Sequence, residues 1–358
     1  MSNKKKLSFS KTILGWYDKN KRTLPWREET DFYRIWLSEI MLQQTQVKRV
    51  SIFYTKWIKK FPTLESVANA KEEHLLKVWE GLGYYNRCRN FYKAAKIIIN
   101  DYNGKIPNDY QTFRLLPGVG DYTASAVLSI AFEIPYPAID GNIKRIMARM
   151  LGIKNITNFN YKRIKKTLLN LISSSRPGDF NQALMDLGSQ VCRPNQAHCY
   201  KCPLKLFCKA GNTLNPEKYP RPLSKKNIPH YDVVVAMIWK EGRFLIQKRE
   251  NQKHLSGLWE LPGGKIENNE RSELALIREI KEECDFEVIP KKKMESIKHK
   301  YSHFSITLTA FHCKIKNGAK VTSKQSTRWI TIGEIGDYPF PSANHKLFNQ
   351  LEYFYSNG

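Results

Sequence analysis

Two carboxylates, four cysteines and a glycine hairpin are the residues of this chain whose types and spacing could do chemistry. Glu39 lies in Ser38-Glu39-Ile40-Met41-Leu42-Gln43-Gln44-Thr45-Gln46, among apolar neighbours and with Gln43 four positions on, which predicts one shared helix face. A carboxylate there is either solvated or a functional acid with a pKa raised by burial. Asp140 closes the stretch at residues 115–145, LLPGVGDYTASAVLSIAFEIPYPAIDGNIKR. Pro117 removes a backbone donor and Gly118 and Gly120 permit positive φ, so a turn is expected there. The small-residue run at 122–132 then predicts a buried helix whose free N–H groups can bind a phosphate. The stretch reads either as a grip on a nucleic-acid backbone that presents Asp140, or as a helix–turn–helix corner with a solvated acid. Cys192, Cys199, Cys202 and Cys208 fall within seventeen residues, a clustering that suits a metal site better than disulfides. Four thiolates can hold zinc tetrahedrally or a [4Fe–4S] cluster. The single close pair inclines the spacing towards the cluster and leaves zinc open.

The charge of the whole chain agrees with a polyanionic partner. Its 358 residues carry 59 Lys+Arg against 33 Asp+Glu, a formal net charge of +26. Such an excess favours nucleic acid first and an anionic membrane second. No apolar run approaches the ~20 residues that span a bilayer, and the N-terminus, with Lys4 to Lys6, lacks a signal-peptide core. A soluble intracellular protein is expected.

The elements that must position these residues are helical in the first half. Amphipathic patterns predict a first helix at 9–19, ended by Asn20 and Pro25-Trp26, and a long second helix at 33–57. Thr63 has the type and place of an N-cap. Gly81-Leu82-Gly83-Tyr84-Tyr85-Asn86-Arg87 reads as an interhelical loop or as an aromatic and cationic segment that stacks on nucleic acid. Another helix is expected at 90–102, and helical patterns run on to about residue 188. Residues 211–229 read as a linker with basic Lys218, Arg221, Lys225 and Lys226. Beyond it, strands are expected at 231–239, 244–248, 301–314 and 326–332, which makes a smaller α/β domain.

Taken together and in order, several of these motifs resemble the adenine DNA glycosylase family. They are Trp36 to Val47, Gly81-Leu82-Gly83-Tyr84-Tyr85, the helix–hairpin–helix Leu116-Pro117-Gly118-Val119-Gly120, Ile139-Asp140-Gly141-Asn142, and the cysteine spacing. The resemblance implies an all-α helix–hairpin–helix glycosylase domain at 1–210, with the hairpin at about 112–132 and an iron–sulfur module at about 190–210. The linker at 211–229 and a Nudix-like domain at 230–358 follow. It implies that Cys192, Cys199, Cys202 and Cys208 carry a [4Fe–4S] cluster. Glu39 would protonate the purine and Asp140 would stabilise the sugar cation, supported by Tyr122 and Asn142. Gln43, Gln44, Thr45, Tyr84, Gly118 and Gly120 would contact DNA, with Gln44 and Tyr84 filling or wedging the gap left by a flipped base. The related endonuclease III type needs a lysine amine two residues past the last hairpin glycine. Tyr122 stands there, and a phenol forms no imine, so a glycosylase without lyase activity is expected.

Residues 264–283, Gly264-x5-Glu270-x7-Arg278-Glu279-Ile280-Lys281-Glu282-Glu283, resemble the Nudix box, the signature of hydrolases acting on nucleoside diphosphate derivatives, and this resemblance implies an additional hydrolase activity on oxidised dGTP as an alternative to binding alone. Glu279, Glu282 and Glu283 share one helix face that could hold Mg2+, or form a solvated acidic face in a binding-only domain. The box expects glycine where Asp285 stands, and Asp tolerates a left-handed backbone better than most residues. Tyr301-Ser302-His303 matches the family loop that reads 8-oxoguanine. The implied partner is double-stranded DNA with adenine opposite 8-oxoguanine or guanine, bound by a cytoplasmic, chromosome-associated monomer without membrane contact. A DNA-binding protein without base excision is the rival reading, although it would have no chemical need for Glu39 and Asp140.

Overall fold

Helices α1 (Asn3–Asn20), α2 (Phe32–Leu42), α3 (Val47–Lys60), α4 (Leu64–Ala68), α5 (Glu72–Trp79), α6 (Asn86–Asp101), α7 (Tyr110–Arg114), α8 (Asp121–Ala131), α9 (Gly141–Leu151), α10 (Asn158–Leu171) and α11 (Pro177–Gln190) build the first half of the chain. The structure is a computed structural model that describes residues 3–27, 29–222, 227–249, 255–316 and 325–356. Lys225 and Lys226 of the expected linker lie outside them. Two compact units result, Met1–Asn69 with Asn90–Ser224, and Ala70–Arg89 with Lys225–Gly358. Among the described residues, no helix is long and apolar enough to cross a membrane.

Local signals set the helix ends of the first unit. The Asp31 side chain caps α2 by accepting from the Arg34 N–H at 2.9 Å. Thr63 caps α4 in a reciprocal box with Ser66. In α9 the buried positions Ile143, Ile146, Met147 and Met150 recur at helical spacing, Asp140 caps the start and Gly152, at φ +70°, ends it. The expected long helix at 33–57 is two helices. Gln44 takes φ +55°, a left-handed backbone that breaks the ladder between α2 and α3. Gln43 is therefore the C-cap of α2 and not a residue of a continuing helix face.

One aromatic core holds α2, α6 and α7 together, with the Trp36 ring 4.6 Å from Phe91 and 5.5 Å from Phe113. A second core joins α1, α9, α10 and α11 through Phe9, Ile143, Leu168 and Phe180. The approach of α11 to α8 is set by Gly178. A Cβ built there would lie 2.7 Å from the Ser129 carbonyl oxygen and 2.8 Å from the Ile130 Cα.

The second unit is α/β. Its strands are β1 (His230–Lys240), β2 (Arg243–Lys248), β3 (Trp259–Glu260), β4 (Gly263–Lys265), β5 (Val288–Lys293), β6 (Ile297–Lys300), β7 (Ser305–Ile315) and β8 (Thr327–Ile330), with helices α12 (Ser272–Cys284) and α13 (Ser342–Ser356). The main sheet order is β3-β2-β1-β7-β5. β4 is added on β1, β6 on β7 and β8 on β2. Strands β1 and β7 pair in parallel with Val233 opposite Leu308. Alternate residues of β1 serve two cores: Val235 and Met237 pack in the one holding Phe348 of α13, Val234 and Ala236 in the one holding Ile280 of α12. Because both faces are buried, the strand reads in sequence as an apolar run.

Strands β5 and β6 were not expected. β5 is Val-Ile-Pro-Lys-Lys-Lys, with a register shift at Pro290, so neither alternation nor composition announces it. Residues 70–89 group with the second unit although they precede it by well over a hundred positions. Glu80 explains much of this, because it accepts from the Phe340 N–H at 2.6 Å and lies 2.6 Å from His345 Nε2. Asp285 ends α12 at φ +56°, the left-handed backbone expected where the motif calls for glycine.

Gly178→Ala should cost about 1–3 kcal/mol, since two backbones must separate to admit one methyl group. Urea unfolding followed by helical circular dichroism measures it, and an unchanged midpoint would show that the two helices are not held at this point.

Candidate functional site

The first unit places Glu39 where a carboxylate is least comfortable. Eight residues of α2, from Tyr33 through Met41, are buried, and Glu39 is only 5% exposed. Its Oε2 accepts one hydrogen bond, from the Tyr122 hydroxyl of α8 at 2.7 Å. Burial pushes the Glu39 carboxyl up to about 7, the Tyr122 hydrogen bond and the Arg27 charge oppose this, and the nearby Asp140 charge adds to it. The group thus titrates close to neutrality. Burial likewise drives the Tyr122 phenol far above its ordinary value, so it stays a neutral donor.

Asp140 is held by α9. As its N-cap, the carboxylate accepts from the Ile143 N–H at 2.6 Å and from Asn142 Nδ2 at 2.8 Å. Asn142 Oδ1 in turn accepts from Arg145, which also bonds the Gly188 and Cys192 carbonyls. Gly188 is small for a reason, since a Cβ there would lie 2.5 Å from the Asn142 Cβ.

Glu39, Tyr122, Asp140 and Asn142 line one pocket of about 660 Å³, together with Gln43, Gln44, Thr45, Gly118 and Gly120. Gln43 Nε2 donates to Thr123 Oγ1 at 3.2 Å, and Thr45 Oγ1 to the Gln43 carbonyl at 3.2 Å. Gln44 is exposed at the turn. Gly118 has φ +78°, and a Cβ on it would lie 2.7 Å from the Asn90 Cβ. A Cβ on Gly120 or Gly141 would meet nothing within 4 Å, so no neighbouring side chain demands glycine at either position.

Sequence reasoning missed Arg27 and Asp186. Arg27 lines the pocket and makes a two-point pair with the fully buried Asp186, at 2.8 and 2.9 Å, while Arg22 adds a third hydrogen bond to that carboxylate at 2.7 Å. Asp186 carried the signal that drew attention to Glu39, an acid in an apolar helix. Arg27 carried none beyond its neighbours Pro25 and Trp26.

The four cysteines line a second, apolar pocket beside Arg149. The Arg149 guanidinium, nearly inaccessible, donates to Cys192 Sγ at 3.2 Å and to the Arg193 and Pro194 carbonyls. The Gly211 N–H donates to Cys208 Sγ at 3.3 Å. Among the described residues, no three His, Cys, Asp or Glu side chains converge as they would on a single ion.

The second unit holds the other expected residues. Tyr84, at φ +51°, belongs here and not to the pocket around Glu39, and its hydroxyl is 2.5 Å from Ser302 Oγ. Tyr301 turns its ring 4.8 Å from Phe304 and lines a cavity in this unit, while Ser302 and His303 are exposed. The three glutamates of α12 do not act as one face. Glu279 and Glu282 pair with Arg278 at 3.0 and 3.6 Å, and Glu283 accepts from Gln247 Nε2 at 2.6 Å and the Gly263 N–H at 3.2 Å. One oxygen of each is thus drawn to a protein donor, and among the described residues no three His, Cys, Asp or Glu side chains are grouped as they would be around an Mg2+ ion.

Comparison with known proteins covers both units. The family described as HhH-GPD superfamily base excision DNA repair protein matches residues 37–174, and the NUDIX domain matches residues 233–350. The chain is 38% identical over 304 residues to an adenine DNA glycosylase of Buchnera aphidicola subsp. Acyrthosiphon pisum, covering 84% of each chain. It is 30% identical to the Homo sapiens adenine DNA glycosylase, covering 95% of this chain and 73% of that one. A solved thermostable thymine-DNA glycosylase superposes with a TM-score of 0.54 at 32% identity, over 58% of this chain and 96% of that one.

Tyr122→Phe removes the hydroxyl that favours the Glu39 carboxylate, so the Glu39 titration should move above about 7. Carbon-13 NMR of glutamate-labelled protein reads this directly. A midpoint that stays or falls would contradict the described hydrogen bond.

Proposed function

The chain belongs to the adenine DNA glycosylase family, and from that premise we propose that it hydrolyses the N-glycosidic bond of adenine placed opposite 8-oxoguanine or guanine in duplex DNA. The observation that carries this reading is a buried Glu39, hydrogen-bonded by Tyr122, and an N-capping Asp140 lining one pocket. Adenine leaves only when protonated, and its departure leaves positive charge on the sugar. Glu39 donates the proton to the purine ring as the bond from sugar carbon to nitrogen breaks. Asp140, whose oxygens are already fixed by Ile143 and Asn142, faces the developing cation with little reorganisation. Water then adds to the sugar carbon and gives up a proton, leaving free adenine and an abasic site.

The base must leave the stack first, at a cost of about a few kcal/mol. The hairpin and the start of α8 grip the backbone through N–H groups. Gly120 and Gly141 support this, because the close approach of a phosphate explains a glycine that no protein neighbour requires. Gln43, Gln44 and Thr45 contact the strand from the turn after α2. With Tyr122 in place of a lysine and bonded to Glu39, the position that supplies the imine-forming amine in the endonuclease III type carries none, and Lys144, which lines the pocket, packs its amine over the Tyr161 ring, so the enzyme leaves the strand uncut.

Cys192, Cys199, Cys202 and Cys208 hold a [4Fe–4S] cluster in this reading. Zinc would draw four sulfurs to about 2.3 Å from one point, and a count of metal per chain distinguishes it from the cluster. A four-iron cluster seats one thiolate at each corner, and N–H donors such as Arg149 and Gly211 suit its electron-rich sulfurs. When bound, it would cross-link the loop that anchors the end of α9.

The second unit reads the base opposite adenine through Ser302 and His303, with Tyr84 joined to Ser302. The pairing of Arg278 with Glu279 and Glu282, and of Gln247 with Glu283, favours binding over hydrolysis of a free oxidised nucleotide, and an assay with 8-oxo-dGTP separates the two.

Glu39→Gln should retain binding to duplexes with adenine opposite 8-oxoguanine while single-turnover release falls about 10²–10⁴-fold. In the wild type, release should be fastest below about pH 7 and decline as pH rises through it, because the protonated Glu39 is the donor. Near-normal release by the variant would remove the assignment. Iron and acid-labile sulfide should each approach four per chain and fall together in Cys202→Ser, whereas one zinc per chain would overturn the cluster.

A further inference from the structure

Helix α10 carries Lys162, Arg163, Lys165 and Lys166 and no acid along its length. All four are exposed, and among the described residues none makes an ion pair. Lys162, Lys165 and Lys166 stand at i, i+3 and i+4, so they share one face and repel one another. A helix in water gains nothing from this arrangement, whereas a polyanion laid on it removes the repulsion.

The opposite face of α10 is already used. Ile164, Leu168 and Leu171 are buried in the core shared with α1, α9 and α11. The exposed apolar residues, Phe159 and Leu169, lie ten positions apart and make no continuous stripe. An interfacial helix needs such a stripe to enter a lipid surface. The charges of α10 therefore suit a partner recognised through its phosphates alone.

The position of this face ties it to the pocket and the hairpin. Tyr161, one turn before Lys165, has the Lys144 ammonium 5.4 Å from its ring centre, and Lys144 lines the pocket that holds Glu39 and Asp140. Asp121 opens α8 directly after Gly120 of the hairpin. Arg114 holds its carboxyl below the usual carboxylate range, and the Lys165 charge, reaching it from α10, adds to this. Asp121 is itself paired with Arg114 and accepts from the Tyr110 hydroxyl at 3.1 Å, so it does not occupy the lysines. The hairpin, Lys144, Tyr161 and the lysines thus run as one edge away from the pocket.

We propose that this face of α10 is a second contact with duplex DNA, in which Lys162, Lys165 and Lys166 take backbone phosphates of the arm that continues past the hairpin. The proposal deepens the glycosylase reading, on which it rests for the place of the adenine. Lys162 and Lys166 lie roughly 6 Å apart along the helix axis, and phosphates of one strand follow at about 3.4 Å along the duplex, so the face spans about two or three of them. The contact reads no base, because a lysine presents a point charge and not a paired donor geometry.

Fluorescence anisotropy of the full chain on an undamaged duplex, repeated over a range of KCl concentrations, tests this. With Lys162→Gln, Lys165→Gln and Lys166→Gln combined, the slope of log K against log salt should be shallower by about 2–3. On duplexes with adenine opposite 8-oxoguanine near one end, extended on one side or on the other, the same variant should lose about tenfold in affinity with one arm only. Lys162→Arg, Lys165→Arg and Lys166→Arg combined keep the charges and should bind as the wild type does, which separates a lost contact from a lost fold. An unchanged slope, equal weakening on both arms, or an arginine variant as weak as the glutamine one would overturn the proposal. Absence of adenine release by the wild type would instead remove the glycosylase reading and leave the salt slope to decide this one.

Discussion

A carboxyl group enclosed by apolar side chains, with one hydrogen bond to it, is the constraint on which the first unit depends. Ionised Glu39 is costly there, so its titration moves up to about 7. That outcome needs three things at once. Helix α2 must be buried on nearly all sides, α8 must deliver the Tyr122 hydroxyl, and Arg27 must stand close enough to moderate the shift without cancelling it. The last is secured by Asp186, which accepts from both Arg27 and Arg22 in the interior. A buried arginine pair is weak evidence for stability. Here it keeps a cation in one place at the pocket wall.

Helix α9 joins the two chemical sites of this unit. Its first turn holds Asp140 and Asn142, its middle carries Arg145 to the Gly188 and Cys192 carbonyls, and Arg149 near its end bonds the Cys192 sulfur and the loop beyond. Any shift of the cysteine loop would therefore be felt along the helix by the carboxylate at the other end. This supplies a physical reason for a cysteine module beside a hydrolytic site, whether or not it transfers electrons.

In the second unit, what a motif suggests and what its side chains do part company. The glutamates of α12 recur at helical spacing, yet Arg278 draws on Glu279 and Glu282 while Gln247 and the Gly263 N–H draw on Glu283. Spacing places residues on a face and says nothing of the donors that arrive from other elements. Tyr301 and Ser302 diverge in the same way, one turned into the cavity and the other paired with Tyr84.

The amino-acid sequence by itself determined the two-part architecture and the candidate chemistry, because these rest on short-range rules. Thr63 as a cap, Gly118 at positive φ and Asp285 in a left-handed turn are all local backbone matters. Pattern failed where the local signal was weak, at the break after Gln43, in the basic strand β5, and for residues 70–89, whose partners lie far along the chain. Only the tertiary structure decided whether Glu39 is a surface acid or a buried carboxyl with a raised pKa. Its pKa depends on Tyr122, Asp140 and Arg27, brought to it from three other segments, and on the exclusion of water that their packing achieves.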